Sequence, residues 1–179
     1  MNGSSTTWRN ALATLCALTL IGPAWAHEAK GRFVNAQGDA VGTVVLVQGP
    51  AGVLARVEVD GLPPGPKAIH IHHTGTCEDH SHGFKASGGH VDPDQRAHGL
   101  LNPEGPEAGD FPNLYVHEDG HAWAEFYNER ISLDGSTGVN LLDEDGAAFV
   151  IHEGPDDHRT QPIGGAGARI ACAVVHLRD

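Results

Sequence analysis

His70 and His72 stand two apart in Lys67-Ala68-Ile69-His70-Ile71-His72, a segment that reads as a β-strand. Successive strand side chains point to opposite faces, so both imidazoles share one face and a single metal ion can take both. An H-x-H pair alone is a weak signal. His90 and His98 add to it, because they lie in a Gly- and Pro-rich run (Ser87-Gly88-Gly89-His90-Val91-Asp92-Pro93, then Ala97-His98-Gly99) with Gly109-Asp110 close behind. A loop that buries no core of its own gains order by ligating metal, and imidazoles with a carboxylate suit zinc. His152 closes the apolar run Ala147-Ala148-Phe149-Val150-Ile151 and precedes Glu153-Gly154-Pro155-Asp156-Asp157. Acids placed there can accept the second ring N–H of a ligating histidine and fix its orientation. The chain holds 13 histidines. Nothing in the spacing of His80, His82, His117 or His121 singles one out as a ligand, and a solvated surface is their simpler reading.

Such chemistry needs a frame that holds short segments rigidly. Gly42-Thr43-Val44-Val45-Leu46-Val47 and Val53-Leu54-Ala55-Arg56-Val57-Glu58-Val59, separated by Gly49-Pro50-Ala51-Gly52, read as strand, turn, strand. Further short strands are predicted over 67–72, 113–117, 121–125, 146–152 and 168–176, and no stretch keeps an apolar helical period over three turns. The predicted class is an all-β sandwich or barrel, a single domain. Two loops, at about 73–111 and 153–167, are longer than a compact domain ordinarily carries, so they are expected to be functional.

Residues 1–26 carry one charge, Arg9, then an apolar run from Ala11 to Ile21 and the small-residue triplet Ala24-Trp25-Ala26. That is the layout of a secretory signal peptide, with the domain expected over 27–179. The apolar run is shorter than the roughly 20 residues of a transmembrane helix, so no membrane partner is expected. The formal net charge is −12, and loss of Arg9 takes it to −13. Nucleic-acid binding through phosphates is disfavoured at that charge, and an anionic substrate needs a locally positive funnel. Of three cysteines, Cys16 leaves with the leader, and export of Cys77 and Cys172 to an oxidising compartment predicts a disulfide between them.

The ordered set His70-Ile71-His72, Cys77, Gly89-His90-Val91-Asp92-Pro93, His98-Gly99, Gly109-Asp110, Val150-Ile151-His152-Glu153, Asp156-Asp157 and Gly167-Ala168-Arg169-Ile170-Ala171-Cys172 resembles the copper/zinc superoxide dismutase family, bacterial secreted branch, in register from about residue 40 onward. The resemblance implies a Greek-key antiparallel β-barrel or sandwich with two long functional loops and one disulfide, Cys77 to Cys172. It implies copper on His70, His72, His90 and His152, with His90 bridging to zinc on His98 and Asp110. The family's remaining zinc ligand is a histidine three residues before that aspartate, and here the position is Glu107. Glu107 either ligates zinc through oxygen or points to solvent and leaves zinc weak or absent. Asp156 matches an aspartate that links a copper ligand to a zinc ligand, and Arg169 matches an arginine that docks the superoxide anion. The implied activity is superoxide dismutation in the periplasm, with Arg169 and the bridging His90 as catalytic residues and Lys85, Arg96 and Arg159 as candidates for the funnel rim.

Two other readings stay open at this level: a non-catalytic copper- or zinc-binding protein on the same fold, and chelation of copper by His27 as a new amino terminus. Both a monomer and a homodimer are compatible with the sequence, and Trp123, Phe126 and Tyr127 suit an interface as well as a core.

Overall fold

The computed structural model describes residues 27–178, and the fold is all-β. The expected leader, residues 1–26, with Cys16 inside it, lies outside the described residues. The strands are β1 (Glu28–Asn35), β2 (Ala40–Gly49), β3 (Gly52–Val59), β4 (Gly65–Lys67), β5 (Ile69–His72), β6 (Leu114–Val116), β7 (Ala122–Asn128), β8 (Ile131–Ser132), β9 (Val139–Asn140), β10 (Ala148–His152), β11 (Arg169–Val174) and β12 (His176–Leu177). One curled antiparallel sheet takes the order β5-β10-β11-β1-β2-β3-β7, with β12 paired to β1. Hairpins join β1, β2 and β3, and β11 returns from the far end of the chain to lie beside β1, which is the spatial order of a Greek key. Antiparallel β4-β6 and parallel β8-β9 form two short ladders.

Period-two alternation builds the core. In β3, Val53, Ala55, Val57 and Val59 are buried while Arg56 and Glu58 face solvent. In β7, Phe126 turns inward, whereas Trp123 and Tyr127 are 58% and 50% exposed, so those two are surface residues. The main core gathers Phe33, Leu46, Ile69, Ile71, Phe149 and Ile151 with Phe111 from the first long loop.

β5 and β10 are buried on both faces, which is what allows them to carry a polar site. Ile69 and Ile71 of β5 enter the main core, and the opposite parity presents His70 and His72 to the long loops. In β10, Phe149 and Ile151 point inward, while Ala148 and Val150 join a second small cluster with Phe84 and Cys172 on the outer face. The Cys77–Cys172 disulfide ties the first long loop to β11 across a sequence separation of 95. A closed loop of that length stabilises by about 4 to 5 kcal/mol in the chain-entropy account.

The strand expected over 67–72 is two strands, interrupted at Ala68. Its N–H donates to Gly154 and its carbonyl accepts from His152, so the break ties β5 to the second long loop. β1 has no counterpart among the expected strands, because its inward positions are Ala29, Gly31 and Phe33 and only the last is large.

Candidate metal centre

Two backbone bridges lay the first long loop onto β5: His70 pairs with Asp110 and His72 with His90. Gly109 permits the approach, since a Cβ there would stand 2.4 Å from the Ile71 carbonyl oxygen. The result is a cluster of imidazoles. The His70 ring centroid lies 4.1 Å from His90 and 5.1 Å from His152, and His72 lies 5.3 Å from His90 and 6.1 Å from His152. Among the described residues, two groups have ligand atoms within 4.8 Å of one another: His70, His90, His98 and Asp110, and His72, His90 and His152. His90 belongs to both.

On four of these rings one nitrogen is committed to the protein. His70 Nε2 meets Asp156 Oδ2 at 2.8 Å, His72 Nδ1 meets the Gly88 carbonyl at 2.8 Å, His90 Nδ1 meets Glu107 Oε2 at 2.6 Å and His152 Nδ1 meets the Gly167 carbonyl at 3.1 Å. The other nitrogens, His70 Nδ1, His72 Nε2, His90 Nε2 and His152 Nε2, are buried with no hydrogen-bond partner. One orphaned buried polar atom costs about 1 to 3 kcal/mol. Four in one cluster make a donor set that fits a metal ion, and on His70, His72 and His152 the committed N–H fixes the tautomer that leaves a lone pair facing it.

A second donor set lies behind His90. His98 Nδ1 is 2.8 Å from Asp110 Oδ1 and 3.3 Å from Glu107 Oε2, and His90 Nδ1 is 3.5 Å from Asp110 Oδ1. Two imidazoles and two carboxylates thus converge, with Glu107 aimed into the group and its side chain only 14% exposed. The remaining Asp110 oxygen is held by the backbone N–H of Gly99 and of Glu107, at 2.8 and 3.0 Å. Asp156 spans the two sets, accepting from His70 Nε2 through one oxygen and from His98 Nε2 at 3.1 Å through the other.

Protonation follows this division. Burial pushes His72 down to about 2, His152 to about 3 and His70 to about 4, the last against the pull of Asp156. These three are neutral at physiological pH, the form that ligates metal. Burial also works against charge on His98 and His90, but hydrogen bonds to Asp110 and its neighbouring carboxylates win, raising His98 to about 11 and His90 above its ordinary value. Asp110, Asp156 and Glu107 are held below the usual carboxylate range by the same contacts, despite burial.

Arg169, paired with His152 at a bulge between β10 and β11, completes the constellation. Its Nη1 donates to the Phe84 carbonyl at 2.7 Å and its Nη2 to the Gly88 carbonyl at 2.7 Å. Burial lowers its pKa, yet a guanidinium stays charged at neutral pH.

The family description "Copper/zinc superoxide dismutase (SODC)" matches residues 40–175. A Cu-Zn superoxide dismutase of Caulobacter vibrioides is 47% identical over 140 residues, covering 77% of this chain and 79% of its own. Superoxide dismutase [Cu-Zn] 2 of Aquifex aeolicus is 40% identical over 162 residues, covering 89% and 94%. The crystal structure of a SOD-like protein from Bacillus subtilis superposes with a TM-score of 0.76 at 37% identity, covering 81% of this chain and 96% of that one. The chain belongs to the copper/zinc superoxide dismutase family.

In this superoxide dismutase the expected site residues His70, His72, His90, His98, Glu107, Asp110, His152, Asp156 and Arg169 therefore come together, and copper and zinc are its cofactors. The spare histidines do not join them. His80 Nδ1 meets the Ala36 carbonyl, His82 meets Ser81, His121 meets Asp60 and the His117 ring packs on Tyr115. Arg96 and Arg159 brace the first long loop through the carbonyls of Gly105 and Leu101, whereas Lys85 directly follows Phe84, whose carbonyl holds Arg169. Sequence reasoning missed Phe84, Ser87 and Gly88 as the seat of Arg169 and His72. It also missed Asn113 and Gln161, which clamp the backbone of Asp156 and His98. Only the Gly88-Gly89 pair offered a signal in the sequence.

Proposed function

We propose that this copper-dependent superoxide dismutase binds copper through His70 Nδ1, His72 Nε2, His90 Nε2 and His152 Nε2, and zinc through His90 Nδ1, His98 Nδ1, Asp110 and Glu107. The observation that carries the assignment is the set of four orphaned buried nitrogens beside a charged Arg169. Two superoxide ions and two protons become one dioxygen and one hydrogen peroxide. Copper, when bound, supplies the one-electron exchange. Arg169 docks the anion, and the carbonyls of Phe84 and Gly88 hold its guanidinium in place without neutralising it. His90, whose Nδ1 faces the Glu107 and Asp110 carboxylates that would share zinc with it, is the residue placed to carry a proton at Nε2 to the reduced anion.

The chain is acidic overall, at a net −12, so attraction of superoxide is local to Arg169, with Lys85 a further candidate in the turn whose carbonyls seat the guanidinium. The mature enzyme, residues 27–179, works in the periplasm; the leader-like segment and the disulfide support that location. All four copper-facing nitrogens and the arginine are present, which argues against a purely metal-storing role. The test is His152→Ala loaded with copper and zinc. Loss of dismutation with the fold and melting of the metal-free protein retained supports the assignment, and undiminished turnover overturns it.

A further inference from the structure

We propose that Phe84 is a positioning residue for Arg169: its buried ring, seated beside the disulfide, holds the backbone carbonyl on which one arm of the guanidinium rests. Phe84 adopts φ 55 and ψ 30, the left-handed region that a bulky L-residue rarely enters. The conformation is sustained by burial. The ring is fully buried against Ala148, Val150 and Cys172, with Val34 and Cys77 at its flank.

That geometry turns the Phe84 carbonyl toward the site. It accepts from Arg169 Nη1 at 2.7 Å and from Ser87 Oγ at 2.8 Å. Four residues on, the Gly88 carbonyl accepts from Arg169 Nη2 at 2.7 Å and from His72 Nδ1 at 2.8 Å. One short turn therefore seats both arms of the guanidinium. Its Gly88 end is pinned by His72, and its Phe84 end by the buried ring together with Ser87 Oγ on the carbonyl and the Phe84 N–H donating to the Asp79 carbonyl at 3.3 Å. Gly88 itself, at φ 77, lies in a backbone region that favours glycine, and a Cβ there would have to displace the His73 ring. The disulfide enters the chain at Cys77, seven positions upstream, so it anchors the loop while the aromatic ring sets the acceptor.

The inference rests on the reading of Arg169 as the anion dock, and its test separates the two. Azide, an anion probe, is titrated into the copper(II)- and zinc-loaded protein by the visible absorption change it produces, alongside melting temperature. Arg169→Ala weakens azide binding if the dock is correctly assigned. Phe84→Ala then weakens it roughly fivefold to tenfold, less than the loss of one whole charge-assisted hydrogen bond, because the carbonyl is displaced and not removed. Phe84→Gly, which relieves the left-handed backbone but removes the ring, weakens it as much, and Phe84→Leu stays within about twofold of the parent. If Phe84→Ala is too unstable to load, Phe84→Val reads the same loss at smaller amplitude. In an Arg169→Ala background the Phe84 changes have no further effect on azide. A lower melting temperature with parental azide affinity would reduce Phe84 to core packing and overturn the proposal. Unchanged azide affinity in Arg169→Ala itself would remove the anion dock, and the proposal with it.

Discussion

Asp156→Asn tests how the two metal sites are coupled. The carboxylate accepts from His70 Nε2 at 2.8 Å, from His98 Nε2 at 3.1 Å and from the His158 backbone N–H at 2.6 Å. An amide of the same shape keeps one acceptor oxygen and turns an N–H₂ donor toward the other imidazole N–H. That ring must then either lose its partner or switch tautomer, which places a proton on the nitrogen that should face the metal. Losing one charge-assisted bond in a buried site costs about 1.5 to 3 kcal/mol. For a domain of this size that lowers the melting temperature of the metal-free protein by about 3 to 12 °C. Loss of such an outer hydrogen bond to a ligand also weakens metal binding by roughly 10- to 100-fold. Chelator competition, run separately for copper and zinc, measures which site suffers. Parental affinity at both sites with an unchanged melting temperature would refute the coupling.

Three further outcomes are expected. Glu107→Gln lowers zinc affinity by tenfold or more in chelator competition while moving copper affinity less; equal zinc affinity would mean that the carboxylate is no ligand. Arg169→Ala lowers dismutation and flattens its ionic-strength dependence with copper content unchanged, measured by stopped-flow decay of superoxide and metal analysis. The pH dependence of the metal-free protein follows from His70, His72 and His152, whose pKa values fall from 6.5 to about 4, 2 and 3 on folding. The unfolded chain takes up those protons first, so their contribution is complete above pH 6.5 and is lost as pH falls below it, at roughly 1.4 kcal/mol per pH unit for each histidine. His98, raised to about 11, contributes no slope there, because its change lies between 6.5 and 11. Calorimetry should therefore show melting temperature dropping from pH 6.5 to 5, and a flat profile would contradict the neutral burial of these rings.

Period-two geometry made part of the site legible from residues alone. His70 and His72 had to share a face of any strand that held them, and β5 shows that face turned away from the isoleucines. Loop ligands were legible only as a set in order, because His90, His98 and Asp110 are placed by backbone bridges to β5 that no local spacing encodes. Glu107 stayed open for the same reason: whether a loop carboxylate turns inward depends on contacts 9 and 17 positions away in the chain. Beyond the Gly88-Gly89 pair the seat of Arg169 was not legible, since its shortest contacts are to carbonyl oxygens, which every residue carries. β1 escaped notice because close approach to β11 requires glycine at Gly31, where a Cβ would lie 2.7 Å from the Val174 carbonyl, so the alternating apolar signal is interrupted.

The most direct test of the central claim is superoxide decay, followed after pulse radiolysis, with residues 27–179 carrying an intact disulfide and loaded with copper and zinc. The account predicts second-order turnover near the diffusional ceiling of about 10⁸ to 10⁹ M⁻¹s⁻¹, slowed by added salt. A fully loaded protein that left superoxide to decay at its uncatalysed rate would contradict it.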